Sequence, residues 1–169
     1  VQASVPYAGA TKVKLKSYNP TYKANRKQLH KVVGLLQNAK RPLIFSGGGV
    51  ILADAAEELT RLAKTLKIPV TMSLMGLGSF PGSDPLSLGM LGMHGTYRAN
   101  MATADCDLLI GVGVRFDDRV TGKTDTFASK AKVVHIDIDP TSIRKNVSVS
   151  VPVVGDCKNA LGALNEMVA

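Results

Sequence analysis

Five short apolar segments, separated by stretches with helical or loop patterns, constrain the fold of this chain more than any other feature. The segments span residues 42–46, 68–72, 107–112, 132–138 and 151–154. Between the first two, leucine and alanine recur three or four residues apart from Ala55 to Leu66, as on the buried face of a helix. Strand, helix and strand in this order predict a βαβ unit, in which the strands are parallel and the crossover is right-handed.

Helical patterns also flank the other apolar segments. Apolar residues recur at positions i, i+3, i+4 and i+7 from Leu29, and Asn25 with Gln28 forms a candidate capping box before them. A helix ending near Ala39 is therefore predicted. A helix is also predicted for residues 96–104, one helical turn for 124–129, and a last helix that Asp156 caps. Residues 73–85 are rich in glycine and proline and are predicted to form a loop.

The strands are too uniformly apolar to leave one face in water, which indicates helices on both faces of the sheet. We therefore predict a three-layer, doubly wound α/β fold of the Rossmann-like, DHS-like NAD/FAD-binding type, with five or six mostly parallel strands. Residues 23–169 form the predicted domain. Residues 1–22 are predicted to be a linker arm from a preceding domain, in which lysines at positions 12, 14 and 16 would blunt a short edge strand.

The net charge of +8 is confined to the N-terminal third of the chain. Residues 1–53 hold nine Lys and Arg and no acidic residue, whereas the remaining 116 residues hold twelve basic and thirteen acidic ones. No nucleic-acid motif accompanies the basic residues, so an interface or a solvated surface is expected rather than nucleic-acid binding. No apolar run approaches the roughly 20 residues of a membrane helix, and no signal peptide is visible. A cytoplasmic protein without membrane contact is therefore expected.

Glycine or polar residues follow each predicted strand. The clusters are Gly47–Gly49, Ser73-Leu74, Gly113–Arg119, Asp137 and Gly155-Asp156. In a doubly wound sheet, ligands bind outside the carboxyl ends of the strands, so the five clusters together favour a ligand site. For any single cluster a second explanation stays open, because strand-to-helix turns use Gly and Asp for tight turns and caps.

Short motifs alone do not identify the ligand. The glycines at 47–49 resemble a dinucleotide-binding turn but do not match G-x-G-x-x-G, and G-x-x-x-x-G-K-[ST] is absent. His94 and His135 have no second ligand three or four residues away, and Cys106 and Cys157, which we expect to be reduced, lack metal-ligand spacing. No metal site and no catalytic residue are therefore assigned. Asp137, at a strand end, is placed to accept hydrogen bonds from ribose hydroxyls or adenine.

Four motifs together resemble one family: S-L-M-G-L-G at 73–78, L-G-M-H-G-T at 91–96, G-V-R-F-D-D-R at 113–119 and H-I-D-I-D at 135–139. They are similar to the central domain of acetohydroxyacid synthase (acetolactate synthase) large subunits, and the resemblance covers nearly the whole chain. Enzymes of this family use thiamine diphosphate with Mg²⁺ and carry FAD. The resemblance implies an enzyme that decarboxylates pyruvate and adds the two-carbon unit to pyruvate or 2-oxobutyrate, in the synthesis of branched-chain amino acids.

The resemblance also implies which residues would wrap an extended FAD molecule. Gly48 would approach the ribityl–phosphate region. The residues expected to line the flavin side are Ser73, Leu74, Leu91, Gly92, Met93 and His94. Those expected to hold the middle of the cofactor are Gly113, Val114, Arg115, Phe116, Asp117, Asp118 and Arg119. The adenosine end would be bound by Asp137, Ile138 and Asp156. Met93, Asp118 and Arg119 match positions that family members present to sulfonylurea-type herbicides at the channel into the active site.

The segments with which the family binds thiamine diphosphate are not found in this sequence. It has no G-D-G…N-N pattern for Mg²⁺ and diphosphate, and no segment that resembles the pyrimidine-binding domain with its catalytic Glu. Because the sequence also begins with Val1, we expect a fragment that is inactive alone. Its expected partners are FAD, the pyrimidine- and diphosphate-binding domains, further copies of the enzyme and a regulatory small subunit.

Three alternatives stay open: a stand-alone nucleotide-binding module, as in electron-transfer flavoproteins or sirtuin-like proteins; the central domain of another thiamine-diphosphate enzyme; and an interaction domain with a vestigial site.

Overall fold

The structure, a computed structural model, describes Ser4 and residues 20–169. Most of the predicted linker arm, including its lysine-rich strand, lies outside the described residues. Within the described part, no helix is both long enough and apolar enough to cross a membrane.

The described residues form a sheet of six strands that all pair in parallel, which confirms the predicted fold class. In chain order the strands are β1 (Pro42–Ser46), β2 (Val70–Met72), β3 (Ser87–Met90), β4 (Leu108–Val112), β5 (Lys132–Asp137) and β6 (Val151–Val154). Their order across the sheet is β3-β2-β1-β4-β5-β6. The chain therefore builds outward from β1 on one side and then returns to build outward from β4 on the other.

Five of these strands coincide with the five apolar segments, because a strand covered on both faces is apolar throughout. All five residues of β4 are buried, for example. The strand that the sequence pattern did not reveal is β3, at the edge of the sheet. Gly89 in β3 has φ +81°, the register with β2 shifts between Val70 and Thr71, and within β3 only Ser87 is buried. An edge strand of this kind carries no continuous apolar signal.

One layer of helices covers the first face of the sheet. In chain order the helices of the described residues are α1 (Arg26–Asn38), α2 (Gly48–Leu52), α3 (Ala56–Leu66), α4 (Tyr97–Asp105), α5 (Asp118–Thr121) and α6 (Cys157–Val168). Helices α1, α3 and α6 form this layer, and their inward residues Leu29, Leu59 and Leu161 are fully buried. The predicted caps hold for both terminal helices, since Asn25 accepts the Lys27 N–H and Asp156 accepts the Asn159 N–H. The second half of the capping box is wrong, because the buried Oε1 of Gln28 has no hydrogen-bond partner among the described residues.

Helix α4 and the segments after β4 and β5 cover the second face. Phe116 lies at the centre of this layer, with its ring edge-on to the rings of Phe45, Phe127 and His135. The polar composition of residues 115–119 predicts an exposed loop, and for Phe116 this prediction is wrong, because only 2% of its surface is exposed. The polar residues around Phe116 concealed its burial.

Residues 47–55 differ from the predicted glycine turn and single helix. Gly48 already starts α2, and a break at Asp54, which has φ +50°, separates α2 from α3. Val50 of α2 is buried, but Leu52 at the end of this helix is 91% exposed, so α2 does not continue the apolar periodicity of α3. In the predicted loop 73–85, Leu74–Gly76 form a 3-10 helix.

Candidate functional site

The residues predicted to bind a cofactor lie along one edge of the sheet. Because all six strands of the described part are parallel, their carboxyl ends share this edge. From one end to the other it carries Leu91–His94 after β3, Ser73-Leu74 after β2, Gly48 after β1, Gly113–Arg119 after β4, Asp137-Ile138 at β5 and Asp156 after β6. Strands β1 and β4 adjoin at its centre, where the order of the sheet changes direction, and ligands of doubly wound sheets bind at such a point.

At this central point the glycines after β1 pack against the glycine after β4. The Gly49 N–H donates to the Gly113 carbonyl oxygen at 3.1 Å. A Cβ atom on Gly49 would lie 2.6 Å from the Gly113 Cα, and one on Gly47 would lie 2.1 Å from the Gly113 carbonyl oxygen. The glycines therefore permit contact between two backbones, and Gly49 does not offer its N–H to a phosphate as the sequence suggested. For Gly47 and Gly49, this close packing explains why glycine is present, and Gly48 takes no part in the contact.

The turn Gly113–Asp117 has its carbonyl groups bonded to other parts of the protein. Its Val114 carbonyl oxygen lies 2.7 Å from Nε2 of His135. The next two carbonyl oxygens, of Arg115 and Phe116, accept hydrogen bonds from Nδ2 of Asn146 at 3.3 and 3.0 Å. The turn is thus held by contacts that span 21 to 31 residues of sequence.

Side chains of the same turn alternate between the core and solvent. Val114 and Phe116 are buried, so only their backbone groups are available to a ligand. The Arg115 side chain is exposed, and its guanidinium lies 3.8 Å from Oδ2 of Asp117. An exposed ion pair of this length contributes little to stability. The other carboxylate oxygen of Asp117, Oδ1, is buried and has no hydrogen-bond partner among the described residues.

His135 and Asp137 form a buried pair at the end of β5. The imidazole of His135 is fully buried, and this burial lowers its pKa, so the ring is neutral. Burial also raises the pKa of the Asp137 carboxyl group, although the hydrogen bond from the Asp139 N–H opposes this effect. Oδ2 of Asp137 lies 3.8 Å from Nε2 of His135, which is beyond hydrogen-bond distance. Because the imidazole is neutral, we do not regard this contact as an ion pair.

At the β6 end of the edge, Asp156 already has a structural role. Its Oδ1 caps α6 by accepting the Asn159 N–H at 3.1 Å, and its own N–H donates to the Tyr22 carbonyl oxygen at 3.0 Å. A Cβ atom on Gly155 would lie 2.9 Å from the Ala24 Cα. The segment before α1 therefore crosses the sheet edge here.

At the other end, the turn after β3 contacts the segment after β4. Gly92 has φ +111°, and a Cβ atom there would lie 2.8 Å from the Arg119 carbonyl oxygen. The same oxygen accepts the Met93 N–H at 3.1 Å. Leu91 is buried, whereas Met93 and His94 are exposed. Two motifs that are separate in the sequence thus form one continuous surface.

An exposed apolar patch adjoins this surface. Helix α2 and the 3-10 helix contact each other, and a Cβ atom on Gly48 would lie 3.1 Å from the Met75 Cβ. We use the name edge patch for the exposed apolar residues of these two elements together with Leu77, which follows the 3-10 helix: Ile51, Leu52, Leu74, Met75 and Leu77. Contiguous exposed apolar residues are typical of surfaces that another protein segment or a ligand covers. By contrast, the groove of about 500 Å³ between α1, α3 and α6 lies at the opposite edge, near Pro42 and Ile68.

Comparison with known proteins connects this geometry with a family. Residues 29–164 match the family described as "Thiamine pyrophosphate enzyme, central domain". The chain is 52% identical over 165 residues to the acetolactate synthase large subunit of Haemophilus influenzae, covering 95% of the chain and 29% of that protein. It is 52% identical over 155 residues to the probable acetolactate synthase large subunit of Methanocaldococcus jannaschii, covering 92% and 26%.

A third relative gives the same picture. The chain is 44% identical over 165 residues to the acetolactate synthase isozyme 3 large subunit of Escherichia coli, covering 98% of the chain and 29% of that protein. The chain thus spans 26–29% of the length of these three relatives.

Proposed function

The chain belongs to the family of central domains of thiamine pyrophosphate enzymes, and from this premise we propose that it is the central domain of an acetolactate synthase large subunit. The three relatives described above, which are known or probable acetolactate synthase large subunits, are 44–52% identical over nearly the whole chain, which supports the proposal. The activity of such an enzyme is the condensation of two pyruvates, or of pyruvate and 2-oxobutyrate, to acetohydroxy acids. Thiamine diphosphate and Mg²⁺ would be bound by parts of the longer relatives that this chain does not match.

The role that we propose for this domain is to bind FAD along the carboxyl edge of the sheet. The observation that carries the proposal is the alignment of the candidate residues along that edge, with at least one after each strand. With strands about 4.8 Å apart, six strands give an edge of roughly 24 Å, which suits an extended dinucleotide. When bound, FAD would undergo no net redox change in the reaction.

The residues present fit this cofactor at both ends and in the middle. Asp137 offers a partly buried carboxylate whose Oδ2 makes no hydrogen bond to the described residues, so it is available to ribose or adenine donors. Exposed Arg115 and Arg119 supply positive charge for the diphosphate in the middle. Exposed Leu74 and Met93 supply apolar surface for the flavin ring. Met93, Asp118 and Arg119 would also line the substrate channel.

Other parts of the proposed enzyme would cover the edge patch. Its apolar residues lie at the same edge as the candidate site, where the pyrimidine- and diphosphate-binding domains would complete the cofactor's surroundings. We propose that the enzyme assembles as a homo-oligomer with a regulatory small subunit.

Titration of this chain with FAD, followed by quenching of flavin fluorescence, tests the cofactor proposal. We expect a dissociation constant in the micromolar range or weaker, because half of the contacts at the flavin end would come from other domains. NAD⁺ and FMN serve as comparison ligands. Tight binding of NAD⁺ without binding of FAD would contradict the proposal and favour a stand-alone nucleotide-binding module. Nanomolar FAD affinity would contradict the expected sharing of contacts.

A further inference from the structure

Two side chains that the cofactor proposal does not use hold the backbone of the candidate site. We propose that His135 and Asn146 are positioning residues, which fix the turn Gly113–Asp117 through its carbonyl groups and thereby set the affinity of the site for its ligand. The identity of the ligand rests on the proposed function. The contacts that hold the turn do not.

The hydrogen bonds of the turn fix the direction of its peptide groups. Four consecutive carbonyl oxygens of the turn accept hydrogen bonds from the protein: Gly113 from the Gly49 N–H, Val114 from His135, and Arg115 and Phe116 from Asn146. In a trans peptide the C=O and N–H groups point in opposite directions. The N–H groups of residues 114–117 therefore point away from Gly49, His135 and Asn146, whose donors bind the carbonyl oxygens. None of these N–H groups donates to a described protein group. Successive N–H groups without a protein acceptor are the donors from which proteins build sites for anions.

The contact with the Val114 carbonyl group determines which ring nitrogen of His135 carries the proton. A backbone carbonyl only accepts, so the ring nitrogen 2.7 Å from the Val114 oxygen must be the donor, and the proton sits on Nε2. Within the described part of the chain, the buried Nδ1 has no hydrogen-bond partner. Among the described residues, the His135 side chain therefore makes one hydrogen bond, and that bond goes to the turn.

These hydrogen bonds also maintain an unusual backbone conformation in the turn. Gly113 has φ +58° and Phe116 has φ +49°, and the left-handed region is unfavourable for a bulky side chain such as that of Phe116. The Phe116 ring contacts His135 edge-on at 4.9 Å between centroids, and a Cβ atom on Gly111 would lie 2.5 Å from the ring. Packing and hydrogen bonds together hold a conformation that the turn would not keep alone.

The test separates the hydrogen bond of His135 from the volume of its ring. His135→Gln keeps an amide donor near the position of Nε2, whereas His135→Leu keeps apolar volume and removes the donor. Asn146→Asp removes the Nδ2 donor without changing the shape, and Asn38→Asp is the matched control, because the Asn38 amide donates to Gly34 far from the site. Asn146 is exposed, so its variant is expected to fold even if His135→Leu does not.

Two readouts are measured for each variant: the dissociation constant for FAD, and the rate at which trypsin cleaves the free protein after Arg115 and Arg119. We expect His135→Leu and Asn146→Asp to weaken FAD binding about tenfold and to accelerate cleavage. His135→Gln and Asn38→Asp should behave like the wild type in both readouts. A residue that served overall stability alone would lower the melting temperature without changing FAD affinity well below it.

The outcomes distinguish this inference from the proposed function. If the wild type does not bind FAD, the cofactor proposal fails, and the trypsin rates alone decide whether His135 and Asn146 hold the turn. If the wild type binds FAD and Asn146→Asp matches it in both readouts, the inference is overturned. Equal losses in His135→Gln and His135→Leu would also overturn it, because ring volume would then matter instead of the donor.

Discussion

At the scale of single residues, Asp137 carries the most specific expectation about the ligand. Its carboxyl group ends β5, and one oxygen is already bonded to the Asp139 N–H, which leaves Oδ2 as the acceptor at the sheet edge. Replacing Asp137 by Ala would leave ribose or adenine donors without a partner, so we expect FAD affinity to fall about tenfold. Fluorescence titration measures the change, with exposed Asp125→Ala as the control. Equal affinity in Asp137→Ala and the wild type would contradict this assignment.

His135 makes the stability of the protein depend on pH. Its pKa in the folded protein is lowered by burial from the usual value of 6.5. As the pH falls below about 6.5, the unfolded chain therefore binds a proton that the folded protein does not accept, and the free energy of unfolding decreases. Asp137, the titratable group beside the ring, has the opposite effect, because its raised pKa favours the protonated folded state nearer its usual value of 3.8.

Urea unfolding between about pH 7.5 and about pH 5.5 measures the contribution of His135. The wild type should lose about 1 kcal/mol of stability relative to His135→Gln over this range. His30 and His94 are present in both proteins, so their effects cancel. Parallel pH curves would show that the buried imidazole accepts a proton without cost.

The strand-end residues of the site could be predicted from the sequence, but the residues that hold them could not. Asp137 and Gly113 follow apolar strands directly, so a local pattern marks them. Asn146 lies in an irregular segment and reaches Phe116 across 30 residues, and no local pattern encodes such a contact. A histidine without a second metal ligand is usually packed or hydrogen-bonded, and His135 is both, but its acceptor on the Val114 backbone follows from the fold alone.

At the scale of secondary-structure elements, burial on both faces made five strands predictable, and the elements that were missed are the short or exposed ones. Strand β3 is mostly half-buried at the edge of the sheet, and α2 and α5 contain only five and four residues. Elements of this size carry too few buried positions to show a period. They also carry much of the candidate site, so the sequence described the scaffold better than the site.

The contact between α2 and the turn after β4 predicts opposite effects for two glycines. In Gly49→Ala the new Cβ would lie 2.6 Å from the Gly113 Cα, and relief requires the two strand ends to separate. We expect a loss of about 1–3 kcal/mol in the free energy of unfolding. In Gly34→Ala the Cβ meets nothing within 4 Å inside α1, and better helix propensity should add about 0.5–1 kcal/mol. Denaturant unfolding of both variants measures the difference, and destabilisation by Gly34→Ala would contradict the reasoning.

At the scale of the whole molecule, the sheet separates stability from ligand binding. The largest buried cluster lies between the sheet and the layer of α1, α3 and α6. The candidate site lies at the carboxyl edge, where the edge patch and Met93 are exposed. Among the described residues, helices and loops thus cover the faces of the sheet, and its carboxyl edge is exposed. An open edge binds a ligand through part of that ligand's surface only, which is consistent with the weak FAD affinity that we expect.

The same openness leads to the last prediction, that this chain alone does not form acetolactate from pyruvate when thiamine diphosphate, Mg²⁺ and FAD are supplied. The protein's part in such catalysis is to position the cofactor and to shape the charge around it. The chain matches only 26–29% of the length of the three relatives compared above, and its match is to a central domain. Asp117 and Asp118 lie where we propose that FAD and the substrate channel meet, so they would not replace a base that acts on thiamine diphosphate.

A colour assay for acetolactate, with a full-length relative as the positive control, measures the outcome. Turnover that is proportional to the concentration of the purified chain, and that survives removal of host enzyme, would show that this domain carries catalytic groups of its own.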